Sequence, residues 1–205
     1  MGATGYAAAR PARALLVLAP GAGAGQRHPF MVSVARGLAD RGIDVVTFDF
    51  PYRRAGRRVP DRAPALEAAF REAVDAARGW RAGDRLFVGG KSMGGRMATH
   101  LAAAGLDGLC GVVALGYPLH PPGRPDRPRI AHLPSIAVPV LVVQGERDTF
   151  GTPDELAPVI ESMRAPVHLH AVAGGDHSLV VRGAPRGEVP ADVLDVVRAW
   201  VEDAR

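Results

Sequence analysis

Six short apolar runs alternate with five helix-competent stretches from residue 14 onward, and that alternation narrows the possible folds more than any other feature of the chain. The runs lie near residues 14–19, 43–50, 85–90, 110–117, 138–144 and 167–172; the helical patterns lie near 29–40, 64–78, 94–104, 153–163 and 189–203. Stretches such as Leu15-Leu16-Val17-Leu18 and Val140-Leu141-Val142-Val143 are apolar throughout rather than at every second position. Strands of that kind are buried on both faces, which requires a mostly parallel sheet covered by helices on both sides. The expected fold class is therefore α/β, with about six strands. A chain of 205 residues, 47% hydrophobic, suits one domain that buries about 70% of its unfolded surface. Residues 1–13 read as an N-terminal tail and 14–205 as the domain.

Parallel sheets of this type bind ligands beyond the carboxyl ends of their strands. One such end carries Gly90-Lys91-Ser92-Met93-Gly94, a G-x-S-x-G placed between the run Leu86-Phe87-Val88-Gly89 and a helix-competent segment. A serine on so sharp a turn is pushed toward substrate, and the glycines leave room where a side chain would collide with strand and helix. Ser92 is thus a candidate nucleophile. Three fixed positions arise easily in a chain with 25 glycines, so partners must carry the assignment.

A serine hydroxyl needs a base, and the base needs a carboxylate to fix its tautomer. Asp148 lies just past the run that ends at Gln144-Gly145, and His177 lies in the Gly-rich loop after the run 167–172. Singly, each has a plain reading, as a turn former and a solvated loop residue. The rival histidines are His28, His100, His120, His132, His168 and His170. His168 and His170 share one strand face, His100 suits helix packing, and His28 and His120 lie in loops after strands. Three residue types at three strand ends, in the order Ser, Asp, His, favour Ser92, Asp148 and His177. An oxyanion hole would use the backbone N–H of Met93 and one from the loop Pro20-Gly21-Ala22-Gly23, with Ala22 expected and Gly23 as the fallback.

These segments, together with Gly116-Tyr117-Pro118-Leu119-His120, Gln144-Gly145-Glu146-Arg147-Asp148 and Gly175-Asp176-His177, resemble the α/β-hydrolase superfamily. The likeness is greatest to its small dienelactone-hydrolase-like branch, which is related to a hydrolase-like domain of a eukaryotic chromatin regulatory subunit. It runs from about residue 14 to the C-terminus. It implies a minimal single-domain hydrolase fold, the triad Ser92, Asp148 and His177, and oxyanion donors Ala22 and Met93. The chain begins almost at the strand that carries the oxyanion loop, so the first two strands of larger members are expected to be missing. The connection from Tyr117 to Pro134 is short and Pro-rich, which argues against a lid domain.

Other classes fit less well. The Gly21–Gly25 loop with Asp49 mimics a dinucleotide site, but Gln26 stands where the third glycine is required. Gly90-Lys91-Ser92 mimics the end of a phosphate-binding loop whose first glycine would be Arg85. No cofactor and no metal are expected. The net charge is +4 and all cations but Lys91 are arginine. Arg53, Arg54, Arg57 and Arg58 read as a solvated loop without interleaved aromatics, or as a patch that attracts an anionic substrate, and not as a nucleic-acid site. Lys91 reads as a structural ion pair beside the elbow. The lone Cys110, within an apolar run, excludes an internal disulfide and suggests a buried thiol and a cytoplasmic setting. No run reaches membrane-spanning length, so no membrane partner is expected. The expected activity is hydrolysis of a small ester, thioester or lactone through an acyl-enzyme; the alternative is a hydrolase fold with a silent triad used for protein interaction.

Overall fold

The structure, a computed structural model, describes residues 2–9, 14–80, 85–181, 183 and 187–204. Its strands are β1 (Thr4–Tyr6), β2 (Ala14–Ala19), β3 (Asp44–Thr47), β4 (Arg85–Lys91), β5 (Leu109–Leu115), β6 (Val140–Gly145) and β7 (Val167–Val172). Its helices are α1 (Pro29–Ala39), α2 (Pro51–Arg54), α3 (Ala63–Trp80), α4 (Met93–Ala103), α5 (Pro153–Glu161) and α6 (Ala191–Asp203). The strands form one sheet in the order β1-β3-β2-β4-β5-β6-β7, parallel except for β1.

Side-chain alternation along β2 divides the core into two layers. Leu15 and Val17 face one side, where Leu66, Phe70 and Val74 of α3 and Met97 and Leu101 of α4 pack. Leu16 and Leu18 face the other, against Phe30, Val34 and Leu38 of α1 and Val193, Val197 and Val201 of α6. Helices α1, α3 and α6 bury one apolar stripe and leave a polar face outside, whereas α4 is buried over most of its length, and each large side chain so buried is worth about 1.5–3 kcal/mol. The Thr152 capping box, with Glu155 reciprocating, starts α5 directly after the loop that carries Asp148.

The sheet has a seventh strand that the alternation does not reveal. β1 lies within the segment read as a tail and pairs antiparallel with β3, Thr4 opposite Thr47 and Tyr6 opposite Val45. Three residues without an apolar run leave no periodic signal; their position is set by pairing with the β3 edge and by Gly5, whose added Cβ would stand 3.1 Å from the Trp80 ring. The run expected as a strand to residue 50 stops at Thr47, because the chain turns at Asp49 and Pro51 opens α2.

Candidate active site

The G-x-S-x-G segment forms the junction between β4 and α4, with Ser92 between them at φ 51° and ψ −116°. A non-glycine residue at positive φ is strained, and the packing around this turn leaves little alternative. A Cβ on Gly90 would lie 2.5 Å from the Ala19 carbonyl oxygen and from the Gly94 carbonyl carbon, and one on Gly94 would overlap the backbone of Ala19 and Pro20. The Ser92 N–H donates to the Leu115 carbonyl at 2.9 Å, which pins the turn to β5.

Asp148 and His177 meet this serine from the ends of β6 and β7. The His177 ring lies with Nδ1 2.7 Å from Asp148 Oδ2 and Nε2 2.8 Å from Ser92 Oγ. A carboxylate only accepts, so Nδ1–H donates to Asp148 and Nε2 accepts the serine O–H. Asp148 is 1% exposed and fully engaged: the Phe150 N–H donates to its Oδ1 at 2.8 Å and Gln144 Nε2 donates to its Oδ2 at 2.8 Å. The Phe150 ring stacks on the imidazole with centroids 4.1 Å apart. The histidine loop is held by Asp176, whose carboxylate accepts from the N–H groups of Ser178 and Val180, and by the Arg147 N–H, which donates to the Gly175 carbonyl at 2.8 Å.

The loop after β2 supplies the other side of the site. The Asp49 carboxylate accepts from the Gln26 N–H at 2.7 Å and from Gln26 Nε2 at 3.2 Å, which closes the loop on itself. This is the physical reason the dinucleotide reading fails: Asp49 is consumed within the protein and a Gln26 side chain fills the turn. The Gly23 N–H donates to the Tyr52 hydroxyl at 3.1 Å, which removes it as a fallback donor. Among the described residues, the N–H groups of Ala22 and Met93 have no protein acceptor, and both residues line the cleft that contains Ser92. Met93 is also the first residue of α4, where the helix dipole favours negative charge. The cleft holds about 560 Å³.

Two other expectations are corrected. Among the described residues Lys91 makes no ion pair: its ammonium is buried without a hydrogen-bond partner there, 5.9 Å from the Phe30 ring centroid. Burial pushes it down to about 8, opposed by the carboxylates of Asp148 and Asp176. Cys110 is only half-buried, because it lies at the outer end of β5 rather than in its middle. Of the four clustered arginines, Arg53 and Arg54 end α2 rather than lie in a loop, and Arg54, Arg57 and Arg58 are exposed, in keeping with the solvated reading; Arg57 is bound to Asp61 at 2.6 Å, and none of the four is among the described residues that line the cleft. Among the described residues, the arginines that line it are Arg96 and Arg129.

Four of the rival histidines, His28, His100, His120 and His132, have other partners, while His168 and His170 lie along β7 away from the cleft lining. His28 caps α1 at the rim of the cleft, His120 bonds Glu155 and the Pro121 carbonyl, and His100 bonds Glu67 and lies against His132. Sequence reasoning missed Gln144 and Phe150. A glutamine inside an otherwise apolar strand was a legible signal for the first, since a fully buried amide needs partners; the stacking of Phe150 had none. No group of three or more His, Cys, Asp or Glu able to hold a metal occurs among the described residues. No helix there is long and apolar enough to cross a membrane.

Parallel strands covered on both faces, with a serine at a strand-to-helix turn facing the strand ends, define a hydrolase of the α/β type. A sequence model of the alpha/beta hydrolase domain matches residues 12–202, nearly the whole chain, and the chain belongs to that family. Solved structures agree on the fold. A dienelactone hydrolase from Anabaena variabilis superposes with a TM-score of 0.78 at 19% identity, covering 98% of this chain and 91% of that one. Est1E from Butyrivibrio proteoclasticus, with ferulic acid bound, gives 0.78 at 14%, covering 99% and 94%. XC6422 from Xanthomonas campestris, described as an α/β serine hydrolase without a lid, gives 0.70 at 18%, covering 98% and 86%.

Proposed function

We propose that the protein is a serine hydrolase that cleaves small esters, thioesters or lactones through an acyl-enzyme on Ser92. The observation that carries this reading is the continuous hydrogen-bond path from Ser92 Oγ through His177 to Asp148, with both links at 2.8 Å or less. Ser92 Oγ attacks the substrate carbonyl carbon as its proton passes to His177 Nε2, and the carbonyl π electrons move onto oxygen. The Asp148 carboxylate steadies the imidazolium without taking its proton. The N–H groups of Ala22 and Met93 receive the oxyanion, a contribution of about 3–4 kcal/mol per donor in comparable sites. Collapse expels the alcohol, thiol or ring oxygen, which leaves with the proton held by His177. Water then attacks the acyl-serine with His177 again as base, and the acid is released.

The test is fluorophosphonate labelling of wild-type and Ser92→Ala protein together with turnover of p-nitrophenyl acetate and butyrate. Labelling and turnover in the wild type, both lost in the variant, are expected. An unlabelled, inactive wild type would sink the reading and favour a role in protein interaction.

A further inference from the structure

The two N–H groups proposed to receive the oxyanion are held by unequal means. Met93 is fixed at the start of α4 by the turn at Ser92, whereas Ala22 is exposed, in a loop with glycine at positions 21, 23 and 25. Such a loop has many backbone forms open to it, and only some of them turn the Ala22 N–H toward the cleft. Within the loop, the Ala24 N–H donates to the Gly21 carbonyl at 3.2 Å and the His28 N–H to the Gly25 carbonyl at 3.0 Å. Side chains from outside the loop hold it as well.

Two of them come from the segment after β3, whose carboxyl end lies beside that of β2 because the strands are parallel neighbours. The Tyr52 hydroxyl accepts from the Gly23 N–H at 3.1 Å, and the Asp49 carboxylate accepts from the Gln26 N–H at 2.7 Å. Tyr52 is itself fixed, with a buried ring stacked on Phe50 at 6.5 Å between centroids. Asp49 is braced by the Gln26 amide, whose Oε1 accepts from the Thr47 hydroxyl at 3.4 Å and whose Nε2 donates to the Gly2 carbonyl as well as to the carboxylate. Gly25 lies so close that an added Cβ would stand 2.6 Å from Asp49 Oδ1. These bonds use the N–H groups of Gly23 and Gln26 and leave that of Ala22 without a protein acceptor among the described residues. A donor fixed in advance stabilises a developing oxyanion without reorganising at the moment of reaction.

We infer that Asp49 and Tyr52 are positioning residues for the oxyanion hole, clamping the loop Gly21–Gln26 so that the Ala22 N–H is presented before substrate arrives. This deepens the hydrolase reading and rests on it. Neither residue is among the described residues that line the cleft, so both act through the loop and not by touching substrate. The effect therefore falls on the transition state, where the oxyanion forms, and leaves ground-state binding of the ester almost unaltered.

The test compares the full-length wild type with Tyr52→Phe, Asp49→Ala, Asp49→Asn and Asp49→Ala/Tyr52→Phe. Turnover of p-nitrophenyl butyrate is measured beside inhibition by a pentyl trifluoromethyl ketone, whose adduct on serine places an oxyanion in the hole. Hydrogen–deuterium exchange across residues 20–28 reads the loop directly. Tyr52→Phe keeps the buried ring and removes only the acceptor, so it reports on the clamp even if Asp49→Ala folds poorly. Each single removal is expected to lower kcat about tenfold and the double about 100-fold, approaching the loss of one oxyanion donor, with KM changed by no more than roughly threefold. Ketone affinity should fall in step with kcat/KM, and exchange in 20–28 should quicken. Asp49→Asn, which keeps one acceptor for the Gln26 N–H, should recover part of kcat. Unchanged kcat and ketone affinity in the double variant of an active protein would overturn the inference, as would a rise in KM alone. Exchange quickened by the substitutions, in a wild type that neither turns over the ester nor binds the ketone, would uphold the clamp on the loop and instead remove the hydrolase reading.

Discussion

Gln144 Nε2 donates to Asp148 Oδ2 at 2.8 Å from a side chain with no exposure to solvent. The same nitrogen reaches the Gly151 carbonyl at 2.6 Å, and Oε1 accepts from the Tyr117 N–H at 2.7 Å, so one amide ties the acid loop to the segment after β5. Gln144→Leu should leave these groups unsatisfied, at about 1–3 kcal/mol each, and let Asp148 shift. The expected outcome is a lowered unfolding midpoint in urea and a loss of kcat of up to about 100-fold, the scale of a 1 Å misplacement. Unaltered stability and turnover would show that the amide is dispensable.

Asp148→Asn should be more damaging to chemistry than to folding. An asparagine amide can face His177 with its N–H₂ and select the tautomer whose Nε2 carries the proton, which cannot accept from Ser92. A fall of about 10⁴-fold in kcat is expected, by analogy with the serine protease triad, with a circular dichroism spectrum like that of the wild type. Retained activity would mean that another residue orients the base.

Phe150→Ala separates two functions of one residue. The backbone N–H that donates to Asp148 survives, while the ring stacked on His177 is lost. Stacked pairs are worth about 0.5–1.5 kcal/mol, so kcat should fall roughly tenfold. A change in KM alone would place the ring in substrate binding.

Lys91→Met should stabilise the protein at neutral pH. A lysine whose folded value is pushed down to about 8 from 10.5 binds its proton less well when folded than when unfolded. Below about 8 both states are protonated and the folded state bears the full cost of the buried charge, on the order of 3 kcal/mol. Between 8 and 10.5 that cost fades, and above 10.5 it is gone. The variant should therefore melt at a higher temperature than wild type at pH 7, with the gap closing as pH rises toward 10.5. An equal gap at all pH values would show that the ammonium is not the cause.

Much of this architecture was legible in the residues. Six of the seven strands and the five long helices follow from continuous apolar runs and amphipathic stripes, because burial on two faces or on one leaves distinct periodicities. Ser92, Asp148 and His177 could be singled out because the chemistry demands those residue types at strand ends, and the three do converge. What stayed hidden depends on tertiary contact. Lys91 reads as an ion pair because a charged residue beside a turn usually finds a partner; the fold instead packs its ammonium near the Phe30 ring of α1, with no hydrogen-bond partner among the described residues. The four clustered arginines drew attention by adjacency, whereas Arg96 and Arg129, 33 positions apart in the chain, share a cleft only once the sheet has formed.

The backbone at Ser92 has a consequence for evolution and for engineering. A serine at φ 51° costs on the order of 1–3 kcal/mol relative to a residue without that restriction. Glycine there would relax the turn and give back only about 0.4–1 kcal/mol through the greater freedom of the unfolded chain. Ser92→Gly should thus be hardier toward heat than the natural sequence and, under the proposed mechanism, catalytically inert, a trade in which the chain keeps the proposed nucleophile and forgoes robustness it could have had. Searches for thermostable variants of this protein by melting temperature alone would select for loss of the hydroxyl that the proposed function requires.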